Sequence, residues 1–340
     1  MDQNLTYFIY GLCCMFYSMM AWFFWRKRSE RLSRLVMILM LIIALQCVKD
    51  LFFLLCPVFE SRELWAIMTA SDMLAVPFYA FILTELCCPG RLTGRSITLQ
   101  FVPFVLLSTL FIATRMEVLY IIEVVWTAAY GLGYAIWTIF AIGRYNRMLK
   151  QRFSYEDNIN LDWLKSILVF FLAILSLWIV DCVYININIE RIYLLGSMSM
   201  WMFLCYFIYR HESVISELRP TVNEKPETPE EESLISIRIR NLFDQQQVFL
   251  NPNIKLSDIA AMVGSNRTYV SRFFNDEQKT TFFDFVNGYR INYAKNLLRT
   301  SDEKMDVIAE KSGFNSRQSF HRVFSKITGC TPDQFRSRNS

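Results

Sequence analysis

Seven runs of apolar residues, each long enough to cross a bilayer as a helix, occupy the first 210 residues of this chain. A membrane helix needs roughly 20 such residues, because every backbone N–H and C=O must find its partner within the segment. The runs fall at about 5–25, 35–56, 64–86, 97–114, 119–143, 163–185 and 192–209. The third carries Asp72 and Pro77, and the fourth is short and carries Pro103, so these two match the template less closely. The first is longer than a leader's apolar core, and its basic cluster follows it, so a retained span is expected and not a cleaved signal.

The positive charges give these spans a direction. Arg26, Lys27, Arg28, Arg31 and Arg34 follow the first span, and the gaps then alternate between basic and nearly charge-free. Taken alternately, the gaps hold eleven Lys and Arg on one side and three on the other. The basic side faces the cytoplasm. The N-terminus is therefore expected outside and the chain beyond Arg210 inside. Trp22, Trp25, Trp65, Trp126, Trp163 and Trp201 mostly lie near span ends and read as an interfacial belt.

Five charged residues fall in the outer half of this arrangement: Lys49, Asp50, Asp72, Glu123 and Asp181. A charge inside a bilayer usually pairs or lines a wet cavity. An outward-opening polar cavity, with Lys49 pairing Asp50 or Asp72, is one reading, and these residues are then the candidate sensing site for an unidentified signal ligand. The other reading has Glu123 and Asp181 at the interface and the Lys–Asp pair purely structural. Glu85, near the inner face, reads as interfacial.

Enzyme chemistry finds little support. The two histidines, His211 and His321, both lie beyond the last span, and no nucleophile and base stand together. Asp72 with Asp181 is the one remote pair for intramembrane hydrolysis. Most of the nine cysteines (Cys13, Cys14, Cys47, Cys56, Cys182 and Cys205) lie in apolar runs as small hydrophobes, without metal-type spacing. No catalytic residue, metal or cofactor is expected.

Residues 211–232 change character. Pro220, Pro226 and Pro229 are interleaved with Glu224, Glu227, Glu230, Glu231 and Glu232, a composition that suits a tether and not a core. From Ser233 onward Lys and Arg outnumber Asp and Glu by sixteen to ten, although charged residues are only 19% of the whole chain. A basic domain is an electrostatic footprint for nucleic acid.

An internal repeat sharpens that. Ile259-Ala260-Ala261-Met262-Val263-Gly264 is echoed by Ile308-Ala309-Glu310-Lys311-Ser312-Gly313, and Ser271-Arg272-Phe273-Phe274 by His321-Arg322-Val323-Phe324. Each unit reads as helix-turn-helix. Leu256, Ile259, Ala260 and Val263 form one buried stripe. Gly264 and Gly313 supply the left-handed residue after the first helix. Ser265 or Asn266, and Asn315 or Ser316, cap the second. Val270, Phe273 and Phe274, and likewise Phe320, Val323, Phe324 and Ile327, bury its inner face. Phe282, Phe285, Ile291, Ala294, Leu297 and Leu298 predict one long helix joining the units.

The run Tyr289-Arg290-Ile291…Ala294…Leu297-Leu298, then Ile308-Ala309…Ser312-Gly313-Phe314, Ser319-Phe320…Arg322-Val323-Phe324 and Gly329-Cys330-Thr331-Pro332…Phe335-Arg336 resembles the DNA-binding domain of the AraC/XylS family. The resemblance covers residues from about 234 to 338. Lys279 stands near a position where that family often has glycine. The resemblance implies two recognition helices in successive major-groove segments of double-stranded DNA. Carried onto this chain, the first would use Arg267, Thr268, Ser271 and Arg272, and the second Arg317, Gln318, His321 and Arg322. Arginine can be bidentate to guanine and glutamine to adenine. The plainer reading has Arg267 or Arg317 bind only phosphate and Arg272 or Arg322 form intradomain ion pairs, and helix-terminal amides and Lys326 are the expected phosphate contacts.

The sequence therefore predicts an all-α chain: a seven-helix transmembrane bundle over 1–210, a linker over 211–232, and a soluble double helix-turn-helix domain over 233–340. The function expected from the resemblance is transcription regulation from the bacterial inner membrane. Signal coupling through self-association into a homodimer is favoured, because a flexible linker transmits torque poorly. The alternative is a receptor or transporter-like protein whose DNA-binding domain is an accessory anchor.

Overall fold

The described part of each apolar run is helical, the third with a break, in the computed structural model, which describes residues 2–55, 62–156, 159, 161–183, 187–218 and 229–339. Among the described residues, seven helical stretches are long and apolar enough to cross a membrane. They are α1 (Asp2–Trp25), α2 (Arg31–Leu55), α3 (Arg62–Met73) with α4 (Val76–Cys87), α5 (Gly94–Thr114), α6 (Glu117–Arg152), α7 (Asp162–Val183) and α8 (Ile187–Leu218). The third run breaks between α3 and α4 because Pro77 lacks an N–H. A proline is tolerated in the first turn of a helix, where that donor would be unpaired anyway.

Contacts divide the chain into two compact units, Met1–Arg144 with Leu161–Ser216, and Tyr145–Asn160 with Glu217–Ser340. In the first unit α1 meets α8 at helical spacing. Tyr10 donates to Glu190, Cys13 Sγ lies 3.9 Å from the Leu194 carbonyl, and the Tyr17 and Ser197 hydroxyls are 3.3 Å apart. Gly196 lets α7 approach, since a Cβ there would stand 2.5 Å from Ile174 Cδ1. Ser108 of α5 donates to Glu123 of α6 and, at 3.3 Å, to the Ala70 carbonyl of α3. The outward surface is apolar: Phe8, Leu99, Phe140 and Val169 are 67%, 75%, 76% and 70% exposed.

One expectation for this unit is corrected. Trp201 is fully buried and packs its ring 5.3 Å from Tyr79. It is core and not interfacial belt, because α8 runs on past it to Leu218. Glu85 is fully buried, accepting the Gly90 N–H and lying 4.0 Å from Arg31. Its carboxylate is thus held by the protein.

Of the stretch read as a linker, residues 211–218 continue α8 and 229–232 begin α9 (Pro229–Asp244), and the rest lies outside the described residues. After a 3-10 turn at Val248–Leu250 come α10 (Leu256–Val263), α11 (Arg267–Arg272) prolonged by a π turn at Phe273–Glu277, α12 (Phe282–Thr300), α13 (Met305–Lys311), α14 (Arg317–Thr328) and α15 (Pro332–Asn339). Helix α12 joins two cores. Phe282 and Val286 pack with Ile259, Val270 and Phe274, whereas Phe283, Ile291 and Leu298 pack with Ile308, Phe320 and Phe324. Ile327 departs from the expected buried stripe and is 44% exposed. It sits one residue from the end of α14, and Phe335 of α15 covers Phe324 instead, ring to ring at 5.5 Å.

Candidate nucleic-acid interface

Both helix-turn-helix units are built by the same local chemistry. Helix α10 buries Leu256, Ile259, Ala260 and Val263 and stops at Gly264, whose φ of 72° is left-handed. Asn266 then caps α11 by accepting the Tyr269 N–H at 3.1 Å. In the second unit Gly313 takes φ 80°, and Ser316 caps α14 by accepting the Ser319 N–H at 3.2 Å. Of the alternatives open in the sequence, the caps are thus Asn266 and Ser316. Each orients a short second helix whose inner face is fixed by aromatic and β-branched side chains: Val270, Phe273 and Phe274 in one, Phe320, Val323 and Phe324 in the other.

The outer faces match. Thr268 and Arg272 of α11 and Gln318 and Arg322 of α14 are all exposed, one helical turn apart within each pair. They occupy equivalent positions of the repeat. Arg272 lies over the Tyr269 ring at 5.0 Å. Arg322 pairs with Glu156 at 3.1 Å.

The remaining predicted contacts are engaged within the unit. Ser271 accepts from Asn275 at 3.0 Å. Arg317 lies 3.6 Å from Asp306, with its Nε 3.5 Å from His321, whose ring is 3.9 Å from Asp333. Lys326 lies 3.2 Å from Asp284. Arg267 is half-buried. Exposed ion pairs of this kind hold side chains weakly, so DNA phosphates can compete for them.

One polar centre escaped the sequence reading. Arg290 of α12 is 1% exposed, and its guanidinium donates to the carbonyls of Phe249 and Asn251, both at 2.7 Å, and of Ser154 at 3.1 Å. It also donates to Ser154 Oγ at 3.1 Å. Burial pulls its pKa down to about 9, which still leaves it a cation at neutral pH. Asn287, also buried, donates to the same Ser154 carbonyl at 3.1 Å. The signal was present: Asn287 and Arg290 share the stripe of Ile291, Ala294 and Leu298, where a polar residue needs partners.

The candidate sensing residues are only partly brought together. Lys49 reaches both acids, Asp50 at 3.1 Å and Asp72 at 2.7 Å. Glu123 is buried apart with Ser108. The side chain of Asp181 lies outside the described residues, and with it the Asp72–Asp181 pairing. Among the described residues no cluster of His, Cys, Asp or Glu is placed to hold a metal ion.

Residues 259–338 match the family model described as a helix-turn-helix domain. Over 99 residues the chain is 31% identical to an uncharacterised HTH-type transcriptional regulator of Staphylococcus aureus (strain COL), covering 29% of this chain and 13% of that protein. Over 85 residues it is 34% identical to the uncharacterised HTH-type transcriptional regulator YtdP of Bacillus subtilis (strain 168), covering 25% of this chain and 11% of that protein. The chain thus spans only a small fraction of the length of these relatives. Among solved structures, the C-terminal domain of AraT, a response regulator from Geobacillus stearothermophilus, aligns at 24% identity and a TM-score of 0.29, over 34% of this chain and 88% of that one. A protein of unknown function from Listeria innocua aligns at 31% identity and a TM-score of 0.28, over 30% and 97%. By the family match and the sequence relatives, the C-terminal third of this chain is a helix-turn-helix DNA-binding domain of the AraC type.

Proposed function

We propose that the chain is a membrane-bound, sequence-specific transcription regulator that couples a signal received in or outside the bilayer to promoter binding. The observation that carries the DNA half is the pairing of Thr268 with Arg272 and of Gln318 with Arg322, exposed at equivalent positions of two helix-turn-helix units. Arginine and glutamine at such positions suit bidentate reading of guanine and adenine in the major groove. The membrane half is supported by the seven long apolar helices and by their exposed outward Phe, Leu and Val side chains. An apolar surface of that extent in water would be an aggregation hazard, whereas lipid solvates it. The charge bias of the gaps directs the N-terminus outward and the DNA-binding domain into the cytoplasm of a bacterial cell, with a second copy of the chain as the coupling partner.

Mapping the DNA occupied by the intact protein in cells tests the first half. Discrete promoter peaks are expected, and occupancy proportional to DNA content alone would refute sequence-specific regulation. Reporter fusions at the N-terminus and after Leu218 test the second. They should report opposite sides of the membrane, and two cytoplasmic signals would refute the arrangement.

A further inference from the structure

A cavity of about 170 Å3 lies among the helices of the first unit. Asp50 of α2, Asp72 of α3 and Glu190 of α8 reach its wall. Lys49 binds the first two, and Arg191, beside the third, donates to Thr6 and Asn188 at 2.8 and 3.0 Å. Three carboxyl groups thus line this wall, with two basic side chains beside them. Much of the remainder is aromatic, including Trp65, Trp178 and Tyr130. Thr127 of α6 lines the same space. It is 1% exposed, and its hydroxyl has no hydrogen-bond partner among the described residues. A buried hydroxyl left unpaired is destabilising, and a ligand heteroatom would relieve it.

We propose that this cavity binds a small organic cation with an aromatic body. The carboxylates neutralise its charge, the aromatic walls take its ring and its cationic head, and Thr127 supplies a polar anchor. The proposal rests on the membrane reading, and it gives the sensing site a ligand class and adds Glu190 and Thr127 to it. The charges in the sequence point to Asp72, whereas Glu190 is hidden by its place at the start of a span.

The test uses the full chain in lipid nanodiscs, with benzylammonium, whose N–H groups can donate to the Thr127 hydroxyl, as probe and benzyl alcohol and benzenesulfonate as neutral and anionic controls. Saturable thermal stabilisation by the cation alone is expected. Thr127→Val, which preserves shape, should weaken it about fivefold, the worth of one hydrogen bond. Asp50→Asn should weaken it more. Equal stabilisation by all three probes, or none by the cation, overturns the proposal. Resistance of the chain to carbonate extraction is scored separately, so that failure of the membrane reading is distinguished from failure of the ligand assignment.

A different observation carries a second inference. The segment after α6 packs against the DNA-binding unit: Ser154 supplies two acceptors to Arg290 and one to Asn287, and Glu156 pairs with Arg322 at 3.1 Å and with Lys150 at 3.2 Å. We infer that Glu156 is a latch on the second recognition helix, occupying the Arg322 guanidinium that would face a base, with Ser154 seating the segment on α12. In the full chain, Glu156→Gln should tighten binding to a duplex selected in vitro by about fivefold at low salt, with less effect as salt rises. Unchanged or weaker binding, with the melting profile preserved, would overturn the latch. Arg322→Ala should abolish the gain.

Discussion

Gly313 and Phe249 lie so close that a Cβ on the glycine would stand 2.7 Å from the phenylalanine carbonyl oxygen. The same oxygen accepts the Arg290 Nε–H at 2.7 Å. The turn of the second helix-turn-helix is thus seated on the chain that leads into the first. Gly264, its counterpart, has a left-handed φ of 72° but open space beside it. Gly264→Ala should therefore cost about 1 kcal/mol, from backbone conformation alone. Gly313→Ala adds a clash with backbone and should cost at least about twice that. Hydrogen exchange of the amides of α10 and α11 for the first variant, and of α13 and α14 for the second, would measure the difference.

Arg290→Met keeps the length of the side chain and removes the fork. The carbonyls of Phe249, Asn251 and Ser154 would then lose a donor inside the unit. A loss of about 3 kcal/mol or more is expected, because several buried acceptors are orphaned together. Arg290→Lys should recover only part of it, since a single ammonium cannot reach all three acceptors. Denaturant titration of the intact chain, followed by exchange at α12, would check both.

Lys279 has φ 49°, a left-handed conformation that a lysine adopts at a cost. The turn is closed around it, the Gln278 N–H reaching the Phe273 carbonyl at 2.9 Å and the Thr280 N–H reaching that of Phe274 at 3.0 Å. Lys279→Gly should raise stability by about 0.5–1 kcal/mol, the relief of strain exceeding the entropy given to the unfolded chain. A lower midpoint in thermal melts would contradict this.

Arg272→Ala and Arg322→Ala should each weaken specific binding by about tenfold to a hundredfold and relax the preference at one base position. Lys326→Ala should weaken binding to every sequence alike and reduce the slope of log affinity against log salt by about one. Titration of selected and scrambled duplexes at several salt concentrations separates the two behaviours.

Much of this was legible in the chain itself. The apolar runs, the glycines at 264 and 313 and the fifty-residue echo of Arg272 in Arg322 are local patterns, and local patterns survive without coordinates. Lys279 announced its strained turn by standing near a glycine position of the resembled family. What stayed hidden depends on distant segments meeting. Ser154 and Glu156 lie more than a hundred residues from Arg290 and Arg322, and no periodicity links them. Trp201 was misplaced for a related reason: composition marks a tryptophan near a span end, but only packing against Tyr79 shows that it faces inward.

Phe282 and Phe283 are neighbours in sequence yet enter different cores. Helix α12 cannot turn to suit one unit without unseating the other, so it works as a fixed caliper between the two recognition helices. Each extra base pair moves a half-site by roughly 3.4 Å and rotates it by about 35° around the duplex. An operator that drifts in spacing by insertion would thus be lost to this protein in one step, whereas one that drifts in base sequence would be lost gradually.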